Sequence, residues 1–184
     1  MPSTKSHKMS NVVLQSINKV TAARRYSENK MGVEIERKYL VAGDGWKSVS
    51  PVILSQGYLN TDKARTVRVR TTGSDAFLTI KGITSSISRP EYEYAIPIDD
   101  ARELLALCSD SIIQKNRYVL PIGDVVWEID EFLGDNEGLI IAEAELISET
   151  QIIELPEWIG KEVSGETRYY NSSLASMPFK HWTD

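Results

Sequence analysis

The strongest constraint in this chain is an alternation that puts charge on one face of nearly every strand-like segment. In "GVEIERKYLV", residues 32–41, Glu34, Glu36 and Lys38 alternate with Val33, Ile35, Arg37 and Tyr39, the two-residue period of a β-strand. The same pattern joins Arg68 with Arg70, Thr79 with Lys81, Arg89 with Glu91 and Glu93, Lys115 with Arg117, Glu128 with Asp130, and Glu143 with Glu145. The opposite faces carry mainly Val, Ile, Ala, Leu, Tyr and Trp. A solvated sheet face would mix in Ser, Thr, Asn and Gln. Here whole segments present only bases or only acids. One reading is a sheet packed on one side. The other, favoured by this segregation, is a barrel with a polar lumen whose apolar faces are covered from outside.

The segment order supports closure. Strands are expected at 32–41, 51–60, 65–72, 76–82, 89–98, 112–120, 125–132 and 138–147. Gly73-Ser74-Asp75, Pro121 to Asp124 and Gly134 to Glu137 read as turns. Asp99-Asp100 opens an amphipathic helix, "DDARELLALC". "TQIIELP" reads as a short helix, and Asn171 to Met177 as another. The expected class is mainly β (α+β): an eight-stranded antiparallel barrel, which removes the exposed edges that so many strands would present.

Charge is unevenly spread. Residues 1–30 hold six Lys/Arg and one acid, leaving 15 bases against 25 acids in residues 31–184. Residues 1–30 are read as a basic leader, a flexible tail or a short helix near 11–26, before one domain at 31–184; an organelle transit peptide is the minor alternative. An acidic body argues against nucleic acid as a partner, because such binding runs on phosphate neutralisation. No apolar run reaches the roughly 18 residues of a membrane-spanning helix. The single cysteine, Cys108, excludes an internal disulfide and fits a cytoplasmic compartment. No Walker-type glycine loop is present, and the two histidines, His7 and His181, lie near the chain ends.

The lumenal chemistry is legible by residue type. Carboxylates on neighbouring strands supply the oxygen ligands of a hard divalent cation. Arg and Lys suit a compact polyanion, and the guanidinium fork matches phosphate. Together they are the equipment of phosphoryl transfer, where the protein positions a phosphate chain and neutralises its charge.

"EIERKYLV" resembles the E-x-E-x-K opening of the CYTH superfamily, the triphosphate tunnel metalloenzymes. The likeness continues in order through "QGYL", "VRVR", "TIKG", "RPEYEY", "KNRY", "EIDEF" and "AEAEL". It closes with "WIGKEVSGETRYYNSSLA", similar to the short bacterial inorganic triphosphatases. This resemblance implies a barrel tunnel with flanking helices and a C-terminal plug helix, and Mg2+- or Mn2+-dependent hydrolysis of triphosphate, inorganic tripolyphosphate foremost. Carried over by position, Glu34, Glu36, Glu143 and Glu145 are metal ligands, with Asp130 as helper. Lys38, Arg68, Arg70, Lys81, Arg89, Lys115 and Arg117 grip the substrate, and Glu34, Glu36, Lys38 and Lys81 form the catalytic set. Short relatives often carry a Lys before the Arg-Tyr pair of the plug; Thr167 stands there, leaving Arg168 as the plug's contact. The resemblance also admits adenylate cyclase, thiamine triphosphatase or polyphosphate binding without turnover. It fits a monomer or homodimer.

Overall fold

The computed structural model describes residues 32–183 apart from positions 109 and 111; the helix expected near 11–26 lies outside the described residues. The strands are β1 (Val33–Val41), β2 (Val52–Asn60), β3 (Thr66–Thr72), β4 (Asp75–Lys81), β5 (Ser88–Ala95), β6 (Ile113–Ile122), β7 (Val125–Phe132), β8 (Ile140–Glu145) and β9 (Ile159–Glu162). Eight of them close in the order β5-β4-β3-β2-β6-β7-β8-β1, with β1 returning to β5 through Val33 opposite Pro90 and Glu34 opposite Arg89. Every pairing is antiparallel. Tight hairpins join β3 to β4 and β6 to β7, with Gly73 at φ 59° and Gly123 at φ 58° supplying the left-handed backbone.

The ninth strand was not expected. Four residues are too few to show a period. β9 lies along the C-terminal half of β1, with Tyr39 opposite Glu162 and Val41 opposite Ile159. Gly160 permits the approach, since an added Cβ would stand 3.0 Å from the Leu40 carbonyl oxygen. The short helix expected in "TQIIELP" is absent: residues 151–156 carry no regular structure. Pro156 biases Leu155 away from helix, and the open chain turns Ile153 onto the barrel while Ile152 is left 96 % exposed.

The register fixes the lumen. Arg68 stands opposite Thr79, Thr79 opposite Glu93, Lys81 opposite Glu91, and Arg117 opposite Asp130. Glu128 faces Glu143, which faces Lys38, and Glu36 faces Glu145. A slip of one residue on any strand would turn its charges into the outer core.

That outer core has two parts. Helix α1 (Ile98–Ala106) sets Ala101, Leu104 and Leu105 against Val69, Ala76 and Leu78 on β3 and β4. The outside cover expected from the sequence is not helical over β1, β6, β7 and β8. Their outward Ile35, Tyr39, Tyr118, Trp127, Ile129, Ala142 and Ala144 pack instead under Trp46 and Trp158, which come from irregular segments. Each indole buries a large apolar area, so two side chains from irregular segments provide the cover there. Val33 stays exposed.

The plug closes one end of the barrel. Helix α2 (Asn171–Ser176) buries Leu174 and Ala175 with Val163 and Tyr169 against Tyr58, Ile113, Phe132 and Ile141. Asn136 pins it, its Nδ2 donating to the Leu174 carbonyl at 3.4 Å and its Oδ1 accepting from the Phe179 amide at 2.8 Å.

Candidate active site

Alternation along the closed strands produces a cavity of about 790 Å³ lined by Glu34, Glu36, Lys38, Arg68, Arg70, Lys81, Arg89, Glu91, Glu93, Arg117, Glu128, Glu143 and Glu145. Acids and bases alternate in a continuous chain around its wall. Arg68 Nη2 meets Glu93 at 3.3 Å and Glu91 at 4.0 Å, and Lys81 Nζ meets Glu91 at 3.1 Å and Glu34 at 2.9 Å. Arg89 links Glu34 at 2.6 Å to Glu36 at 3.1 Å, and Lys38 links Glu36 at 3.0 Å to Glu143. Arg117 then joins Glu143 at 3.0 Å to Asp130 at 2.6 Å and also reaches Glu128; Asp130 ends the chain on Lys115. Arg70 holds Glu93 at 2.9 Å. β2 is the neutral stave, contributing Val52, Leu54 and Tyr58 to the lining, with Gln56 wholly buried behind it.

The pairings set the protonation states. Burial works against the Glu34 and Glu143 carboxylates, yet both lie well below the ordinary range, Glu34 through Lys81 and Arg89, Glu143 through Lys38 and Arg117. Burial, and then the Glu34 charge, push Glu91 upward. Lys38 outweighs its own burial and rises, because Glu143 and Glu36 flank it. Glu145 differs. Among the described residues no base pairs with it, and it stands at the open rim. Partial desolvation, followed by the charges of Glu128, Glu34, Glu91 and Glu36, pushes it up to about 7.

Two residues assigned to ligands from sequence lie beneath the cavity. Lys115 and Asp130 are 1 % and 0 % exposed and do not line it. Asp130 grips Arg117 from below with two 2.6 Å bonds. Burial and the neighbouring Arg117 bring the Lys115 ammonium down to about 8 despite Asp130. Arg168 is also outside the lining, with its guanidinium stacked 4.1 Å over the Trp182 ring. The plug instead offers Ser164, Tyr170, Asn171 and Ser172 to the cavity. Sequence reasoning missed these four and the β2 stave; for β2 the signal was available, since Leu54, Gln56 and Tyr58 keep the same period. Val52, Leu54, Phe77, Val119 and Val126 form an apolar collar toward the mouth opposite the plug.

Two tests bear on what the lumen can hold. Arg68 Nε and Arg70 Nε are buried with no acceptor among the described residues, as is the acceptor Gln56 Oε1 with no donor. Buried donors on guanidinium groups fit an incoming anion. The acids are all oxygen donors, which suit a hard divalent cation. Among the described residues no three of them are already gathered as a ready cation cage, because each except Glu145 is turned toward a base or hydroxyl. Among those residues no helix is long and apolar enough to cross a membrane.

Comparison with known proteins points the same way. The CYTH domain family matches residues 32–176. The chain is 47 % identical over 156 residues to an inorganic triphosphatase of Acetivibrio thermocellus, covering 84 % of this chain and 100 % of that protein. It is 37 % identical over 151 residues to an inorganic triphosphatase of Nitrosomonas europaea, covering 79 % and 99 %. A crystal structure of an inorganic triphosphatase superposes with a TM-score of 0.56 at 35 % identity, covering 77 % of this chain and 93 % of that one. A Pyrococcus horikoshii protein shares the fold at a TM-score of 0.52 and 18 % identity, covering 63 % and 79 %.

Proposed function

The chain belongs to the CYTH domain family, and from that premise we propose that it is a divalent-cation-dependent triphosphatase that favours inorganic tripolyphosphate. The observation that carries this reading is the continuous acid–base chain around a closed lumen. Each base there is desolvated and held in place by carboxylates, so it can exchange one anionic partner for another without paying to be ordered.

On binding, Lys38, Arg68, Arg70, Lys81, Arg89 and Arg117 turn from carboxylate to phosphate oxygens. Glu34, Glu36 and Glu143 are thereby freed from their bases, and with Glu145, which has no base to give up, they would hold the cation. When bound, Mg2+ or Mn2+ neutralises phosphate charge and acidifies a water for in-line attack. Lys115 and Asp130 act from beneath by fixing Arg117. Lys38, between Glu36 and Glu143, stands where both ligands must meet it, and Lys81 does the same between Glu34 and Glu91. Arg168, off the lumen, is given no part in the grip. The protein acts in the cytoplasm.

The test is phosphate release from tripolyphosphate with Mg2+ or Mn2+. Glu34→Gln and Lys81→Ala should each lower kcat/KM by about two orders of magnitude or more, on the scale of losing one preorganised electrostatic contact. Undiminished turnover in either variant refutes the site assignment. The apolar collar favours a second reading, an organic triphosphate with its head group at Phe77 and Val126. Parallel assays with ATP and thiamine triphosphate, scoring phosphate and cyclic AMP, separate the two.

A further inference from the structure

We propose that the plug tip is a neutral end-stop: Asn171 and Ser172 contact the terminal phosphate and set how deep a phosphate chain enters. The inference rests on the triphosphatase reading of the lumen.

The tip is fixed in place. The Val163 amide donates to the Lys38 carbonyl at 2.8 Å, and the Lys38 amide donates to Ser164 Oγ at 3.0 Å. Tyr170 Oη donates to the Ser164 carbonyl at 3.2 Å. The plug is therefore tied to the backbone of a lumenal base, and its underside is locked by Leu174 and Ala175 in the apolar core. Arg168, just before the plug helix, is held on the Trp182 face. What reaches the cavity is neutral and polar: Ser164, Tyr170, Asn171 and Ser172.

Asn171 Oδ1 is buried, and no donor among the described residues reaches it. A buried acceptor left open is costly, of order 1–3 kcal/mol by general experience, so a donor is expected from the ligand. A phosphate chain offers one in two ways, as a terminal P–OH or as water on its cation. The amide nitrogen and the Ser172 hydroxyl can donate to phosphate oxygens. Because the tip is rigid, a longer chain cannot pass it. Its excess charge would have to sit at the other mouth, among Val52, Phe77, Val119 and Val126, whose apolar side chains cannot compensate it.

The experiment uses the full chain with inorganic tripolyphosphate and tetrapolyphosphate, measuring binding by calorimetry and hydrolysis with Mg2+. Asn171→Ala should weaken tripolyphosphate binding about tenfold (about 1.4 kcal/mol). It should also reduce the preference for tripolyphosphate over tetrapolyphosphate several-fold. Asn171→Asp, matched in shape but negative, should weaken binding further than Asn171→Ala while melting as the wild type does, an ordering that a purely structural role does not produce. It carries the test if the alanine variant fails to fold. Ser172→Ala should show a smaller loss, and Ser176→Ala, one turn further along the helix with its hydroxyl on Asp110 and outside the cavity lining, none. Repeating the measurement without cation separates the sources: a loss that persists points to P–OH, and one seen only with cation points to bound water. Wild-type binding in both Asn171 variants overturns the end-stop while leaving the triphosphatase reading intact. A wild-type protein that neither binds nor cleaves tripolyphosphate overturns both.

Discussion

Arg117 and Asp130 face each other across the β6–β7 ladder and are joined by two hydrogen bonds of 2.6 Å, from Nε and Nη2 to the two carboxylate oxygens. Asp130 also receives the Lys115 ammonium, so a single buried carboxylate holds two cations beneath the lumen. Breaking a buried ion pair by removing one partner leaves uncompensated charge, at a cost of about 3–5 kcal/mol. Asp130→Ala should therefore be destabilised by that order in urea denaturation, and should lose turnover because Arg117 is no longer aimed. A midpoint within error of wild type would show that Asp130 is not the anchor.

Lys115 gives that foundation a pH signature. Its ammonium is brought from an ordinary 10.5 to about 8 by burial and Arg117. Between those values the unfolded chain binds the proton and the folded one does not. Stability from this group therefore rises with pH from about 8 toward 10.5. Tyr58, raised by burial from 10.0 to about 12, acts in the opposite sense above 10, because its folded state holds the proton longer. Denaturation midpoints measured from pH 7 to 10 should flatten in Lys115→Met relative to wild type. Parallel profiles would remove Lys115 as the titrating group.

Glu145 should show a conflict between stability and function. Its carboxyl is raised from 4.5 to about 7, so the folded state holds the proton over that window and the group's contribution declines as pH rises through it. Glu145→Gln should raise the melting temperature at pH 8 in a chelator-containing buffer, bring no gain at pH 4, and depress triphosphate hydrolysis. Equal effects at both pH values would contradict the charge argument. Sites assembled for a ligand commonly carry such a local cost.

Much of this was legible in the sequence, for a definite reason. A period of two assigns Glu34, Arg68, Arg89 and Glu143 to one face without knowledge of any partner, and barrel closure turns that face inward. Depth along the barrel is different. It depends on the stagger between strands, such as Lys115 opposite Phe132 and Arg117 opposite Asp130, which no single segment encodes. That is why Lys115 and Asp130 read as ligands from sequence and yet lie beneath the cavity. Arg168 was similarly unreadable, since its direction is decided by Trp182, 14 positions away in the chain. β9 and the coil at 151–156 depend on packing against β1 and the outer core rather than on their own pattern.

The acid–base chain makes one prediction that separates its members. Glu34 occupies both Lys81 and Arg89, at 2.9 and 2.6 Å. Replacing it by Gln removes a competing anion from two bases while leaving Glu91 and Glu36 to hold them in place. In cation-free buffer, Glu34→Gln should therefore bind tripolyphosphate more tightly than wild type, by a few-fold to about tenfold (up to about 1.4 kcal/mol). With Mg2+ the same variant should hydrolyse it far more slowly, because a carboxylate for the cation is gone. Calorimetry under the two conditions reads both effects. Weaker cation-free binding would mean that Glu34 serves the anion site by shaping it, and that Lys81 and Arg89 are not held in reserve for phosphate.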